Sequence, residues 1–154
     1  MKPDVLVTWP VNCDYPLWRR WLAEERERFA KIIVAFSPTP GLVDLRDHVR
    51  QVLSSEDVTL LDTRWENGWD WRDAAVNAAL DASDAEWVWF TEQDFFVASK
   101  DFWSLVNAFT HCRDVVGTRQ GEARWHPCCL FVRREFVERT SRNFAVSEAG
   151  DHFS

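Results

Sequence analysis

A chain of 154 residues with a formal net charge of −7 is the size of one domain and can bury a core without disulfides or metals. That acidity argues against unaided binding to nucleic acid or an anionic membrane, but leaves a nucleotide ligand open, because a bound divalent cation inverts the local field. Ten Trp and eleven Phe stand against one Tyr and one Met; most of these rings belong in a core, and Trp in loops can also floor a sugar or base.

The chain opens on Met1-Lys2-Pro3-Asp4, which leads into a short apolar strand and not into the apolar region of a signal peptide. Asp4 to Trp9 reads as strand one. Asp14 can cap a helix with Pro16 in its first turn, and Trp18, Trp21, Leu22, Glu25 and Phe29 follow a helical stripe. Lys31 to Phe36, β-branched and apolar, is strand two, stopped by the turn residues Ser37-Pro38-Thr39-Pro40-Gly41. Leu42 to Leu53 has helical spacing, and Val58 to Leu61 is a short third strand. The loop from Asp62 to Trp69 contains Asn67-Gly68, a pair tolerant of positive φ.

Asp70 is placed to cap a helix running to Ala82, whose Ala74, Ala75, Ala78 and Ala79 let it lie close against a sheet. Trp87 to Thr91, apolar on both faces, is a central fourth strand. Phe102 to Phe109 is a helix, Asp114 to Gly117 and Cys128 to Val132 are strands, and Glu135 to Asn143 is helical. No segment approaches the roughly 18 continuous apolar residues of a membrane span. Cys13, Cys112, Cys128 and Cys129 show no C-x-x-C spacing, which fits buried thiols in a reduced, cytoplasmic protein. The order βαβαβαβ predicts an α/β fold: a mostly parallel central sheet flanked by helices in a three-layer sandwich.

The fourth strand runs straight into Glu92-Gln93-Asp94. Strand positions i and i+2 point the same way, so both acids are expected to face one cation or phosphate. Open α/β sheets bind their ligands at that carboxyl edge; the plainer alternative is a solvated turn. Strand one ends at Thr8-Trp9-Pro10-Val11-Asn12 and strand two at Ser37-Pro38-Thr39, so their loops open at the same edge. Arg72, in the first turn of the helix before the acidic strand, is an anion ligand by charge and placement, or else a surface partner of Asp73 or Glu66. Asn77, set among alanines, either hydrogen-bonds a neighbouring loop or reaches a ligand. Trp65, Trp69 and Trp71 either stack on a sugar or base or close a core edge.

In this order and spacing the chain resembles glycosyltransferases of the GT-A fold, close in style to glycosyltransferase family 2. The matching pieces are Lys31 to Ser37, then Gly68 with Asp73-Ala74-Ala75-Val76-Asn77-Ala78, then Trp87 to Asp94, where the family runs an apolar strand into Asp-x-Asp. The resemblance covers residues 4 to 96 and makes 1–154 a single nucleotide-sugar-binding domain. It implies a nucleotide-diphosphate sugar donor held through Mn²⁺ or Mg²⁺, with Asp94 and Glu92 on the metal. Thr8, Asn12, Ser37, Arg72 and Glu92 fall where the family contacts nucleoside and phosphates. Hard oxygen donors suit such cations, which neutralise a departing diphosphate as Lewis acids. Glu92 departs from the family's first Asp, and its extra methylene suits sugar hydroxyls or a metal-bound water as well as the metal.

The resemblance further implies a metal-binding His and a catalytic carboxylate after the acidic strand. Glu148, Asp151 and His152 have those chemical types, with Asp151 the base for an acceptor hydroxyl and His152 a third metal ligand; frayed chain ends are the plainer alternative. His126, in Arg124-Trp125-His126-Pro127, lines an acceptor pocket or is a structural loop histidine, while His48 and His111 are surface or packing residues. The implied activity is sugar transfer to an unknown acceptor hydroxyl; the alternative is a non-catalytic GT-A-like nucleotide- or sugar-binding or scaffold domain. Another phosphate-handling activity is weakened by the scatter of Gly41, Gly68, Gly117, Gly121 and Gly150. About sixty residues follow Asp94, short for such an enzyme, so a small acceptor, a truncation, or an oligomer or partner that completes the acceptor site is expected. Arg119, Arg124, Arg133 and Arg134 are candidates for a local basic groove that keeps a nucleic-acid acceptor open.

Overall fold

The computed structural model describes residues 2–10, 15–37, 43–53, 58–62, 77–93, 95–120 and 124–139, with 8–10, 37, 118–120 and 124–128 as backbone only. Six strands, β1 (Asp4–Pro10), β2 (Ile32–Ser37), β3 (Thr59–Asp62), β4 (Trp87–Glu92), β5 (Val115–Gln120) and β6 (Arg124–Arg133), form one sheet in the order β3-β2-β1-β4-β6-β5. The first four are parallel to their neighbours, whereas β6 runs antiparallel to both β4 and β5. The fold is α/β with a mixed sheet, its parallel half built by the alternation seen in the sequence.

Helices cover both faces. On one lie α1 (Pro16–Glu25), α2 (Arg46–Leu53) and α4 (Phe102–Thr110), which bury Trp18, Trp21, Leu22, Val49, Leu53 and Val106 against Val5, Val7, Ile32, Val34, Phe36, Trp87, Trp89 and Phe131. On the other, α3 (residues 77–81) and α5 (Arg134–Arg139) set Ala79, Leu80 and Val137 against Leu6, Ile33, Ala35, Val88, Phe90 and Val132. Alternate strand residues thus feed opposite cores, as the pleat requires, and small alanines do line the approach of α3. The register pair Trp89 and Phe131 stacks almost flat, centroids 5.1 Å apart and planes 5° from parallel.

Several boundaries differ from expectation. The first helix stops at Glu25, followed by a 3₁₀ turn, Arg26–Arg28, so Phe29 is extended and not helical. It still fills the core, 5.7 Å from both Trp89 and Trp103, because the chain must reverse there into β2. The N-cap is Tyr15, without a side-chain cap bond; Asp14 lies outside the described residues. α2 begins at Arg46, not Leu42, where the Asp44 carboxylate accepts the Arg46 backbone N–H at 2.9 Å. Asp prefers this capping role to a helix interior.

β6 begins at Arg124 and not Cys128, so His126 sits in a strand and not in a loop. The final helix begins at Arg134 and is described to Arg139; Asn143 lies outside the described residues. Cys129 is buried but Cys112 is exposed, which corrects the expectation of buried thiols. His48 is exposed on α2, and His111 is exposed at the end of α4. No described helix is long and apolar enough to cross a membrane.

Candidate functional site

From β1 the chain steps outward to β2 and β3, then returns through α3 to place β4 on the other side of β1. Chain order therefore reverses between β1 and β4. In open α/β sheets ligands bind outside the carboxyl ends of the strands at such a switch point. Here the switch point lies between Thr8 and Glu92, which are register partners, and Thr8 is also partnered with Ala35. Ser37 ends β2 beside Pro10, and Asp62 ends β3 beside Phe36. Thr8, Ser37 and Glu92 thus belong to three adjacent strand ends; Ala35 stands level with Glu92 at two strand spacings, about 10 Å, and Ser37 lies two residues further along β2.

β4 is buried from Trp87 to Thr91, and Glu92 is its half-exposed last residue. Gln93, only 6% exposed, then enters a turn in which the Phe95 N–H donates to the Glu92 carbonyl at 3.2 Å. The strand therefore ends at Glu92, and the backbone is turning by Gln93. Asp94 itself lies outside the described residues, as do Asn12, Arg72, Asp151, His152, Glu148 and the Trp65, Trp69 and Trp71 group. Asn77 is half-buried in α3. Among the described residues no three His, Cys, Asp or Glu side chains gather for a metal, and Glu92 is the one expected metal ligand they include.

An unforeseen ionic group occupies the β3 end of the same edge. Arg46 and Arg50, one turn apart on α2, both pair with Asp62, Arg46 at 3.5 Å. The Arg50 guanidinium also lies over the Phe36 ring, 5.4 Å from its centroid. Arg46 donates Nη2 to Asp44 at 2.6 Å, and these side-chain bonds, then the Arg46 backbone N–H, hold the Asp44 carboxyl below its ordinary value. The same bond raises Arg46. The i, i+4 arginines were visible in the sequence, but not that Asp62 would end a strand beneath them.

The opposite, amino edge has open space but a different character. A cavity of about 460 Å³ there is lined by Lys2, Glu25, Arg28, Trp103 and Phe131. Its charges are matched internally: Lys2 with Glu27 and Arg28 with Glu25, the Arg28 guanidinium lying over Trp103. Arg133 binds Glu86 and Asp114, and Arg134 donates to the carbonyls of Leu80, Ser83 and Ala85. Those two arginines tie elements together at the amino edge, so they do not share a groove with Arg119 and Arg124.

No family model matches the chain, and no curated protein matches it. Solved structures do. The mannosyltransferase PcManGT from Pyrobaculum calidifontis, in complex with GDP-Man and Mn²⁺, superposes with a TM-score of 0.60 at 22% identity, over 91% of this chain and 47% of its own. S. aureus TarS 1–349 in complex with UDP-GlcNAc gives 0.66 at 18% identity, over 98% and 51%. The fold is that of GT-A-type glycosyltransferases. A 4-diphosphocytidyl-2C-methyl-D-erythritol synthase from Anaerococcus prevotii shares the GT-A-like architecture, with a TM-score of 0.58 at 13% identity, over 96% of this chain and 80% of that one. The chain spans about half the length of the two glycosyltransferases.

Proposed function

We propose that the protein binds a nucleoside-diphosphate sugar at the carboxyl edge of its sheet and transfers the sugar to an acceptor hydroxyl. The observation that supports this reading most is the position of the Glu92 segment at the β1–β4 switch point, where a GT-A-like sheet opens its crevice. Thr8, Asn12 and Ser37 receive the nucleoside, and Arg72 meets the phosphates. Asp94 and Glu92 hold a divalent cation, with His152 as a third ligand; Glu92 brings a hard oxygen donor to the strand end, the ligand type Mn²⁺ and Mg²⁺ prefer. When bound, the cation supplies Lewis-acid neutralisation of the departing diphosphate. Asp151 takes the proton of the acceptor hydroxyl as general base.

A second reading, nucleotidyl transfer, is favoured by the match to the erythritol synthase, which extends over 80% of that protein. Both readings need a nucleotide at this edge, so the first test is binding. Thermal melting is followed with Mn²⁺ and UDP, GDP, CDP or dTDP; a ligand at 100 times its Kd adds about 2.7 kcal/mol of apparent stability. No shift with any of the four removes the donor site. Slow hydrolysis of the matching nucleotide-sugar, releasing nucleoside diphosphate and free sugar, supports the transferase; binding with no turnover leaves the non-catalytic alternative.

A further inference from the structure

Helix α4 is apolar on more sides than its packing on the sheet uses. Val106 and Thr110 are its buried residues, and Trp103 and Asn107 line the cavity shared with Glu24 and Glu25 of α1. On the other flank Leu105 and Phe109, one turn apart, are 55% and 50% exposed. The remaining exposed large apolar residues among those described, Leu17, Val43 and Phe96, stand on three separate segments. Single exposed apolar side chains are ordinary, whereas neighbours on one helix row mark a contact surface.

That row continues in both directions. The Leu105 N–H donates to the Asp101 carbonyl at 3.0 Å, and the Arg113 N–H to the Phe109 carbonyl at 3.0 Å. Asp101, Leu105, Phe109 and Arg113 therefore follow one another at i, i+4 spacing, and all four are exposed. An acid opens the row, two apolar residues fill its middle and a cation closes it. Neither Asp101 nor Arg113 forms an ion pair among the described residues; Arg113 donates to the Cys112 carbonyl. The two charges also suit the dipole of their own helix, but the dipole gives no reason for Leu105 and Phe109 between them. Beside the row run Ser104, Ala108 and Cys112, also exposed at i, i+4 spacing. These side chains are short, so a second helix can set its taller row into the groove above them.

Such a row is complementary to itself when reversed. About a twofold axis between Leu105 and Phe109, Leu105 of one copy meets Phe109 of the other, and Asp101 meets Arg113. From this pattern we infer that the protein self-associates through α4, two copies packing antiparallel along the row from Asp101 to Arg113. The net charge of −7 does not oppose contact at this face, because residues 100–113 hold Lys100 and Arg113 against the single acid Asp101. One helix pair falls below the ~800 Å² per partner of a standard interface, so the dimer is weak and reversible. This inference does not rest on the donor reading proposed above.

Sedimentation equilibrium of the whole chain tests it, with a dissociation constant of roughly 10 µM to 1 mM expected. Leu105→Lys and Phe109→Glu each put a charge in the apolar middle and should weaken the dimer about tenfold or more. Both positions are half exposed, so melting should match wild type; if it does not, weakening by Leu105→Ser and Phe109→Ser carries the test. Mixing Leu105→Lys with Phe109→Glu is the sharper arm. In the mixed dimer the introduced ammonium faces the introduced carboxylate, and the native Leu105–Phe109 contact is kept once. Association should then return to within about tenfold of wild type, which no defect internal to each monomer would allow. Asp101→Lys mixed with Arg113→Glu should behave in the same way and confirms the antiparallel direction. Wild type that stays monomeric across this range overturns the inference and leaves the row to a different protein. A dimer that persists undiminished in Leu105→Lys and Phe109→Glu overturns it, as do mixtures that remain monomeric.

Discussion

Thr8 and Glu92 are register partners across the β1–β4 junction, where chain order reverses among the parallel strands. Glu92 is anchored there by the buried strand before it. Under the proposed function both acids hold the cation, and mutation separates their shares. Asp94→Ala is expected to lower Mn²⁺-dependent nucleotide affinity by tenfold or more, about 1.4 kcal/mol. Glu92→Asp, which restores the shorter acid, is expected to stay within about threefold of wild type. Titration calorimetry with and without Mn²⁺ reads both; an Asp94→Ala protein that binds as tightly as wild type removes the metal assignment.

The flat stack of Trp89 on Phe131 holds the β4–β6 ladder and hence the strand that ends in Glu92. Trp89 is fully buried and also meets Trp103 edge-on at 5.4 Å. Trp89→Ala should cost roughly 3–5 kcal/mol, the range for emptying a large aromatic from a core. Trp89→Phe should cost less, since a smaller ring keeps part of the stack. Denaturant unfolding monitored by far-UV dichroism checks the order; equal midpoints for the two variants would mean that the cavity collapses.

Deep in the sheet's amino edge, Ser83 donates its hydroxyl to the Asp4 carboxylate at 2.6 Å, with Asp4 2% and Ser83 7% exposed. This bond ties the turn after α3 to the first residue of β1. Ser83→Ala removes the donor and leaves a buried carboxylate oxygen short of a partner, an expected loss of about 1–3 kcal/mol. Asp4→Asn keeps an acceptor for the same hydroxyl and should lose less. Chemical denaturation distinguishes them, and a Ser83→Ala protein as stable as wild type would show that the carboxylate finds another donor.

How far the sequence reaches is clearest in β4 and β6. Trp87 to Phe90 is apolar at every position, so its place in a buried central strand follows from composition alone. β6 is not legible in that way, because His126 and Pro127 interrupt the pattern and the residues before Cys128 read as a loop. Their pairing with β5 is a tertiary fact that no local periodicity encodes. The same holds for the site. Strand ends at Thr8, Ser37 and Glu92 were visible as apolar runs meeting polar residues, whereas the turn at Gln93 and the clasp of Asp62 by Arg46 and Arg50 depend on backbone direction and on contacts between distant elements.

Gly117 stands where the β5–β6 register begins to shift, and a β-carbon there would lie 2.6 Å from the Cys129 carbonyl oxygen. Backbone cannot yield as a flexible side chain does, so Gly117→Ala must push β5 and β6 apart at the point where their register changes. The expected loss is about 1–3 kcal/mol, as for other overpacked sites. It should fall on the β5–β6 ladder, and hydrogen exchange by mass spectrometry would show faster exchange there than in β1 and β2. Uniform loss of protection across the sheet would contradict a local clash.

Asp44 links helix capping to pH. Arg46 side-chain bonds, then the Arg46 backbone N–H, lower its carboxyl from the ordinary 3.8. A carboxyl with a lower value in the folded state binds protons more readily when unfolded, so stability rises with pH. The contribution is fully present above the unfolded value and is lost as pH falls through the folded one. The side chain is 45% exposed, and solvent screening keeps the effect below ~1 kcal/mol. Asp44→Asn keeps the cap acceptor and removes the charge, while Asp44→Ala removes both. Near neutral pH the order of stability should be wild type, then Asn, then Ala. Below the folded value, wild type and Asn should converge while Ala stays lowest. Thermal melts across that range check the prediction, and a wild-type advantage over Asn that persists at low pH would place the stabilisation in the hydrogen bond rather than the charge.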